Sequence, residues 1–269
     1  MKCLTLLLTL LALASSASKA ADYVTLPGGE FRSALPEPGA TKVRVAPFQL
    51  RVLPVTNAEF LTFVQAHPEW QRGRVAALFA GPHYLNDWRS PLDHRPLMAR
   101  APVTNISWHA ADAFCRSENA RLPSWREWEF AAAADATRAD ARDDPAWREK
   151  ILAWYEHPNK DVLPEVGRDA ANIYGLHDVH SSIFEWVEDF NGLFVASDSR
   201  SQGEENNLAT CGAGALSLED RDNYAILMRI ALLTSLQASD TVSSLGFRCA
   251  RDAATDTNMP SSGPQEKQP

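Results

Sequence analysis

Apolar residues recur at helical spacing in three stretches of the chain, and each stretch starts with a residue that favours a helix N-terminus. The first predicted helix covers residues 57–64, and the second begins near Ser107. The third covers residues 125–134, where Ser124 and Glu127 have the spacing of a capping box. We therefore expect three short amphipathic helices in the first half of the chain.

The segments around these helices carry the patterns of short strands and turns. Residues 23–31 predict a strand that turns at Pro-Gly-Gly, and residues 43–52 partly alternate between apolar and polar side chains. Residues 69–101 are irregular, residues 136–149 predict an exposed helix or loop, and residues 158–182 predict turns and short strands. The pattern indicates modest helix and strand content with many loops.

The N-terminal residues have the composition of an export signal. Residues 4–14 form a short apolar run after Lys2, and the small residues Ser18 and Ala20 follow it. We expect a secretory signal peptide over residues 1–20, removed after Ala20; the alternative is a buried N-terminal helix. The protein is then exported, with the periplasm as the expected compartment.

The C-terminal residues 252–269 are rich in Pro, Ser and Gln and have almost no large apolar side chains. This composition predicts a disordered tail, because such a segment cannot bury enough apolar surface to fold. One domain is expected over residues 22–251.

The net charge indicates which partners are excluded, and the cysteine count indicates which disulfides can form. The chain has a net charge of −8, and removal of Lys2 and Lys19 with the leader would change it to −10. An acidic protein is repelled by nucleic acids and by anionic membranes, so we expect neither as a partner. Cys115, Cys211 and Cys249 would remain, which permits one disulfide and one thiol in an oxidising compartment.

Six segments together resemble the sulfatase-modifying-factor family, also called the formylglycine-generating-enzyme family. They follow the order of that family and span residues 24–251. The segments are LPGGEF from Leu26, PVTNAEF from Pro54, PVTNISW from Pro102, RLPSWREWEFAA from Arg121, NIYGLHD from Asn172 and LGFRCA from Leu245.

The resemblance implies a fold and a disulfide. The fold is an α+β domain related to C-type lectins, with little regular secondary structure. Secreted members of the family pair the cysteines that correspond to Cys115 and Cys249, so a bridge between these two is expected. The alternative is two buried thiols.

The resemblance also implies a catalytic site, and this chain departs from it. The family's oxidase converts a substrate cysteine to formylglycine with Cu(I) and oxygen, and it binds Cu(I) with two cysteines separated by four residues. Counting back from Cys249 without gaps places those positions on Asp220 and Ala225, neither of which supplies a thiolate. Cys211 is the only cysteine nearby, so copper-dependent formylglycine-generating activity is not supported.

The region from Cys211 to Arg229 is instead similar to an exported subgroup that includes the accessory proteins encoded beside copper nitrite reductase, the NirV type. The resemblance also implies a calcium site, for which Glu185 keeps the family's glutamate and Ser182 replaces its asparagine. Calcium is therefore a candidate cofactor. Copper is a candidate only if Cys211 is a ligand.

Other side chains leave alternatives open. His177 and His180 have the spacing of a transition-metal site or belong to an ordinary turn. Cys211 is a redox thiol, a copper ligand or an inert thiol. Glu129 is expected at the surface of the third helix.

Tyr84, Asp87, Trp88 and Arg89 form an aromatic and charged cluster. Such a cluster suits peptide or ligand binding when it is exposed. The alternative is that it packs inside a loop-rich domain.

Two functions from different classes are consistent with these features. One is an exported accessory factor that binds a protein or peptide partner and helps to mature a copper or redox enzyme. The other is an oxidoreductase-type enzyme with altered chemistry in the same cleft, as in the branch that acts on the siderophore pyoverdine. A lectin-like carbohydrate binder rests on fold analogy alone. The candidate catalytic residues are Cys211, Asp222, Tyr224, Arg229 and Trp186.

Overall fold

The structure is a computed structural model that describes residues 21–36, 40–156, 163–193 and 224–253. Within these ranges the chain forms five α-helices and seven short β-strands. The helices are α1 (Asn57–Ala66), α2 (Trp108–Ser117), α3 (Trp125–Ala132), α4 (Pro145–Glu156) and α5 (Tyr224–Thr234).

The strands pair in three small sheets. Their bounds are β1 (Tyr23–Leu26), β2 (Gly29–Phe31), β3 (Val43–Val45), β4 (Phe48–Arg51), β5 (Phe184–Glu185), β6 (Leu245–Gly246) and β7 (Ala250–Asp252). Strands β1, β4 and β7 form an antiparallel sheet with β4 in the centre, and β2 pairs antiparallel with β3. Strands β5 and β6 pair in parallel. Long loops join these sheets, which confirms an α+β domain with few regular elements.

Local chemistry explains where the first three helices begin. Thr56 caps α1 and Ser107 caps α2, each through its side-chain oxygen. Ser124 and Glu127 form the predicted capping box of α3. The three predicted helices are confirmed, and α3 ends two residues earlier than expected, at Ala132.

The predicted strand over residues 43–52 is two strands. Strand β3 ends at Val45 and pairs with β2, whereas β4 starts at Phe48 and pairs with β1 and β7. Pro47 lies between them, and because proline has no N–H to donate, it interrupts a ladder at that point.

One hydrophobic core joins these elements. Phe60 of α1 stacks on Phe114 of α2 with ring centroids 5.7 Å apart, and Phe247 meets both rings edge-on. Position 246, beside this core, requires glycine, because a Cβ there would come within 2.4 Å of the Val103 carbonyl oxygen. The core therefore holds the chain after β6 directly against the first two helices.

A disulfide joins Cys115 of α2 to Cys249, just before β7. The pairing implied by the family resemblance is confirmed. It links positions 134 residues apart, so it ties the second helix to the central sheet.

The two aromatic residues of the 84–89 cluster pack inside the domain, whereas Arg89 is exposed. Tyr84 and Trp88 are buried, and Trp88 Nε1 donates to Asn57 Oδ1 over 2.8 Å. Burial raises the pKa of Tyr84, whose hydroxyl donates to the Trp70 carbonyl. This arrangement favours packing over an exposed ligand-binding cluster.

Glu129 is buried, so the expectation of a surface position is wrong. Its carboxylate accepts from Ser33 Oγ over 2.5 Å and from the Ala34 N–H over 2.6 Å. Burial raises the pKa of Glu129. The loop after β2 supplies these donors. The spacing of apolar residues along α3 cannot predict the burial of Glu129, because its partners come from this distant loop.

Among the described residues, no helix has both the length and the apolar character that crossing a membrane requires. The predicted leader over residues 1–20 lies outside the described ranges. Residues 254–269 of the predicted tail also lie outside the described ranges. The first residue of that predicted tail, Asp252, is the last residue of β7.

Candidate functional site

The predicted site residues that the structure describes gather around helix α5 and strand β5. Arg229 projects from α5, while Ser182, Glu185 and Trp186 lie in and beside β5. Cys211 and Asp222 lie outside the described residues, and Tyr224 is the first residue of α5.

Arg229 is fully buried between two aromatic rings. Its guanidinium carbon lies 3.9 Å from the centre of the Trp128 ring and 5.2 Å from the centre of the Phe184 ring. A guanidinium in this position is attracted by the electron-rich ring faces, and the attraction is stronger where water is excluded. Helix α3 and strand β5 therefore hold the α5 cation from two sides.

Glu185 and Arg248 form a second charged element beneath this cation. Arg248 Nη2 lies 2.8 Å from Glu185 Oε1, and Arg248 Nε lies 2.9 Å from Oε2. Trp128 Nε1 also donates to Oε2, over 2.9 Å. Trp128 thus contacts Arg229 through its ring face and Glu185 through its N–H.

Arg248 also donates to the backbone. Its Nη1 lies 3.2 Å from the carbonyl oxygens of Arg51 and Val52, and its Nη2 lies 2.9 Å from that of His177. A buried ion pair is stable only when its remaining polar atoms are satisfied. The pair therefore fixes β4, the 177–180 turn and β5 relative to one another.

His180 is half-buried and adds a neutral imidazole to the site. Its Nε2 lies 2.7 Å from the Ala132 carbonyl oxygen, which requires the proton to be on Nε2. Burial, and then the charge of Arg229, lowers the pKa of His180 to about 3. At neutral pH the ring therefore adds no charge to a site that already holds two guanidinium groups.

Trp186 has a structural position in the core. Its indole Nε1 donates to the Ile106 carbonyl over 2.9 Å, and its ring meets Phe190 with centroids 5.0 Å apart. Arg229, by contrast, has its ring contacts with Trp128 and Phe184. These contacts place the two candidate catalytic residues in different aromatic groups.

Helix α4 covers the site. Trp147 meets His180 edge-on at 5.4 Å between centroids, and Trp154 meets Phe184 at 5.3 Å. Ala225, where the family resemblance places a catalytic cysteine, borders a space of only about 10 Å³ that Trp147 also lines. The first turn of α5 therefore packs closely against α4.

A second cavity, of about 150 Å³, also borders His180. Lys150 and Asp178 line it together with Trp147 and Trp154. The Asp178 carboxylate accepts from the backbone N–H groups of Gly167 and Asp169, so it organises the loop that forms one wall. The cavity has room for a few waters or one small polar group.

The predicted metal ligands have protein partners of their own. His177 Nδ1 lies 2.6 Å from the Asp169 carbonyl oxygen, His180 bonds to Ala132, and Glu185 is the counterion of Arg248. In the part of the chain that the structure describes, no three His, Cys, Asp or Glu residues come together as a metal site. The calcium site at Ser182 and Glu185 stays a prediction.

Three residues of the site, Trp128, Phe184 and Arg248, were not predicted from the sequence. Arg248 carries a recognisable signal, because it is a cation within the apolar segment LGFRCA. A cation inside a buried strand region requires a carboxylate partner. The sequence does not show that this partner is Glu185, 63 residues earlier.

Comparisons with known proteins agree with this architecture. A family model described as "FGE-sulfatase: Sulfatase-modifying factor enzyme 1-like domain" matches residues 11–253. The formylglycine-generating enzyme of Streptomyces coelicolor is 28% identical over 282 residues, which cover 86% of this chain and 89% of the relative. The mouse (Mus musculus) protein called inactive C-alpha-formylglycine-generating enzyme 2 is 25% identical over 276 residues, covering 86% and 85%.

Among solved structures, that of CarF is similar with a TM-score of 0.48 and 16% identity. It covers 87% of this chain and 98% of the CarF chain.

Proposed function

The chain belongs to the family of sulfatase-modifying factor enzyme 1-like domains, and from this premise we propose that it is an exported accessory or maturation factor. It binds a protein or peptide partner and serves a periplasmic copper or redox enzyme. It does not act as a copper-dependent formylglycine-generating oxidase.

One observation carries this proposal: the chain lacks the two thiolates that the oxidase mechanism requires. Its four cysteines are Cys3, Cys115, Cys211 and Cys249, and no two of them are separated by four residues. Cys115 and Cys249 are joined to each other. The position expected to hold one catalytic thiol is Ala225, whose methyl group cannot bind copper.

A relative that is named as inactive supports the proposal that this chain is not the oxidase. The mouse protein called inactive C-alpha-formylglycine-generating enzyme 2 aligns with 86% of this chain. The family therefore includes a protein whose name describes it as inactive in formylglycine generation. Within the family, the pattern from Cys211 to Arg229 favours the exported NirV-like subgroup.

Export is part of the proposal and has its own support. Residues 4–14 are apolar, Lys2 precedes them, and small residues surround Ala20. The disulfide between Cys115 and Cys249 suits an oxidising compartment.

The test combines an activity assay with partner capture. Mature protein is incubated with Cu(I), oxygen and a cysteine-containing sulfatase peptide, and formylglycine is measured by mass spectrometry. The expected result is no conversion above a copper-only control. In parallel, cross-linking in the exported fraction is expected to capture a copper or redox enzyme. Copper-dependent conversion that disappears in Cys211→Ala would overturn the proposal, and so would failure to capture any partner.

A second candidate is an enzyme with altered chemistry, and the observation behind it is the lowered pKa of His180 beside Arg229. A buried guanidinium shares the Trp128 ring with a neutral histidine, His180, whose centroid lies 5.8 Å from that of Trp128. Perturbed groups of this kind occur at functional sites more often than elsewhere. Unchanged turnover of a candidate siderophore precursor in a double variant, Cys211→Ala with Arg229→Ala, would exclude this alternative.

A further inference from the structure

The exposed apolar side chains of the described residues concentrate in one irregular segment, residues 70–100. Across the described ranges, the large exposed ones are Leu78, Phe79, Leu92, Leu97, Ile173 and Met228. Four of these six belong to the segment, and Leu97 is the most exposed of them, at 90%. Apolar side chains that concentrate on one part of a surface mark a contact site for another molecule.

The same segment is basic, although the protein is acidic. Residues 70–100 contain five arginines and two aspartates, whereas the whole chain has a net charge of −8. Two of these arginines form exposed ion pairs. In the part of the chain that the structure describes, the other three, Arg72, Arg74 and Arg95, have no carboxylate partner. The segment therefore carries positive charge that the domain itself does not compensate.

The loop from Arg89 to Met98, the basic loop, is fixed in shape. The Asp93 carboxylate accepts from Arg89 Nη2 over 2.7 Å and from the Arg95 N–H over 3.0 Å. The Met98 carbonyl oxygen accepts from the Asn57 side chain of α1 over 3.1 Å. Because the basic loop is held at both ends, its backbone loses little conformational freedom when a partner binds.

The backbone of Arg95 is strained in a way that suits a binding role. Its φ is +61°, in the left-handed region that is costly for residues other than glycine. Asp93 accepts from its N–H, and His94 Nδ1 lies 2.9 Å from its carbonyl oxygen. The helical turn Pro96–Met98 follows directly and has Leu97 at its exposed centre. Strained residues of this kind cluster at ligand contacts and other functional sites.

Arg72 lies beside the basic loop. Its Nη1 donates to the Trp88 carbonyl over 2.5 Å, and the Trp88 ring meets the His94 ring with centroids 5.8 Å apart. His94 is the neighbour of Arg95 in the chain. The guanidinium groups of Arg72 and Arg95 therefore belong to one surface.

We propose that the basic loop is the docking surface for a partner protein, and that it binds an acidic segment with apolar side chains. Because the protein is proposed to bind a partner, this surface rests on the proposed function and adds the chemistry of that partner. Carboxylates of the segment pair with Arg72 and Arg95, and its apolar side chains pack on Leu92 and Leu97. A basic segment is rejected, because it places like charges against each other at the contact.

Two matched synthetic peptides test the proposal. One alternates glutamate with leucine, and the other has lysine in place of each glutamate; both have blocked termini and a fluorescent label. The net charge of the whole protein attracts the lysine peptide, whereas the basic loop selects the glutamate peptide. Fluorescence anisotropy with the mature protein at low salt is expected to show saturable binding of the glutamate peptide, about tenfold tighter than that of the lysine peptide.

Two pairs of variants assign the binding to the basic loop. Arg95→Glu is expected to weaken binding of the glutamate peptide about tenfold, because an attraction becomes a repulsion. Lys42→Glu makes the same change of charge at another exposed position and should leave the binding unchanged. Leu97→Ser is also expected to weaken binding about tenfold, since the apolar contact is lost. Ile173→Ser, at another exposed apolar residue, is its control.

Partner capture separates this surface from the proposed function. In the cross-linking experiment, Arg95→Glu is expected to reduce the yield of captured enzyme about tenfold relative to Lys42→Glu. Equal capture by these two variants would overturn the docking surface and leave the proposed function standing. Failure of the wild-type protein to capture any partner would overturn the proposed function, and the peptide titration then decides the docking surface alone. In that titration, equal or tighter binding of the lysine peptide overturns the docking surface, and so does the absence of saturable binding up to about 10 mM.

Discussion

The carboxylate of Glu185 and the guanidinium of Arg248 form an ion pair that is closed to solvent, with both side chains at 0% exposure and Nη2 2.8 Å from Oε1. Glu185 lies in strand β5 and Arg248 follows strand β6, and these two strands pair in parallel. Because Trp128 donates to the same carboxylate and stacks on Arg229, the pair also supports the cation of α5. A packing relationship between two sequence segments thus determines the geometry of the candidate site.

Glu185→Gln is expected to lower the free energy of unfolding by about 3–5 kcal/mol, since removing one charge leaves the buried Arg248 uncompensated. Urea denaturation followed by tryptophan fluorescence measures the change. Glu165→Gln is the control, because Glu165 forms an exposed pair with Arg100 and should contribute less than about 1 kcal/mol. Equal effects of the two changes would show that the buried pair has no special role.

Removal of the disulfide is expected to be similarly costly. A double variant, Cys115→Ser with Cys249→Ser, frees a loop of 134 residues and should lose about 2–5 kcal/mol of stability. The measurement is urea denaturation in the absence of reductant, with Cys211→Ser as the matched cysteine-to-serine control. Reduction of the wild-type protein should expose two additional thiols and reproduce the loss. A double variant as stable as the control would contradict this expectation.

The sequence predicted those parts of the fold that local chemistry decides. The capping box of Ser124 and Glu127 is formed within four residues, so its pattern is visible in the chain and α3 starts where expected. The family resemblance added the pairing of Cys115 with Cys249, which no local pattern contains.

Features that depend on distant partners were missed. The burial of Glu129 depends on Ser33, 96 residues away, and the position of Arg229 depends on Trp128 and Phe184. Helix α5 was not predicted, although its segment from Tyr224 to Thr234 is strongly apolar. Because α5 is apolar on most of its sides, its sequence shows no amphipathic period that would predict a helix. Its burial becomes clear only from its packing between α4 and β5.

His180 is expected to make stability depend on pH in the acidic range. Its pKa falls from an ordinary value of 6.5 to about 3 on folding, because burial disfavours the charged ring. The folded protein therefore binds fewer protons than the unfolded chain between these values. The contribution is fully present above pH 6.5 and is lost as the pH falls towards 3, by up to about 1.4 kcal/mol per pH unit.

Urea denaturation between pH 7 and pH 4 tests this dependence. His180→Gln keeps a side-chain donor for the Ala132 carbonyl but cannot titrate, so its stability should fall less steeply with decreasing pH. His83→Gln alters an exposed histidine and should retain the wild-type slope. Parallel curves for all three proteins would mean that His180 is as easily protonated in the folded state as in the unfolded chain.

Arg229→Lys is expected to reduce the free energy of unfolding by about 1–2 kcal/mol although it preserves the charge. A lysine ammonium is compact and strongly hydrated, and it cannot stack as a plane between Trp128 and Phe184 at the observed 3.9 and 5.2 Å. Denaturation measures the loss, and near-UV circular dichroism reports on the tryptophan environment. Arg74→Lys, at an exposed position, is the matched control and should change neither signal.

The two roles considered for Arg229 lead to different results for the same variant. If the guanidinium mainly holds α5 against α3 and β5, the stability and the near-UV signal of Arg229→Lys change together, and partner capture falls only in proportion to the unfolded fraction. If it mainly contacts a ligand, capture or turnover is lost while the unfolding free energy stays within about 0.5 kcal/mol of the control. The full burial of Arg229 and its two ring contacts favour the first result.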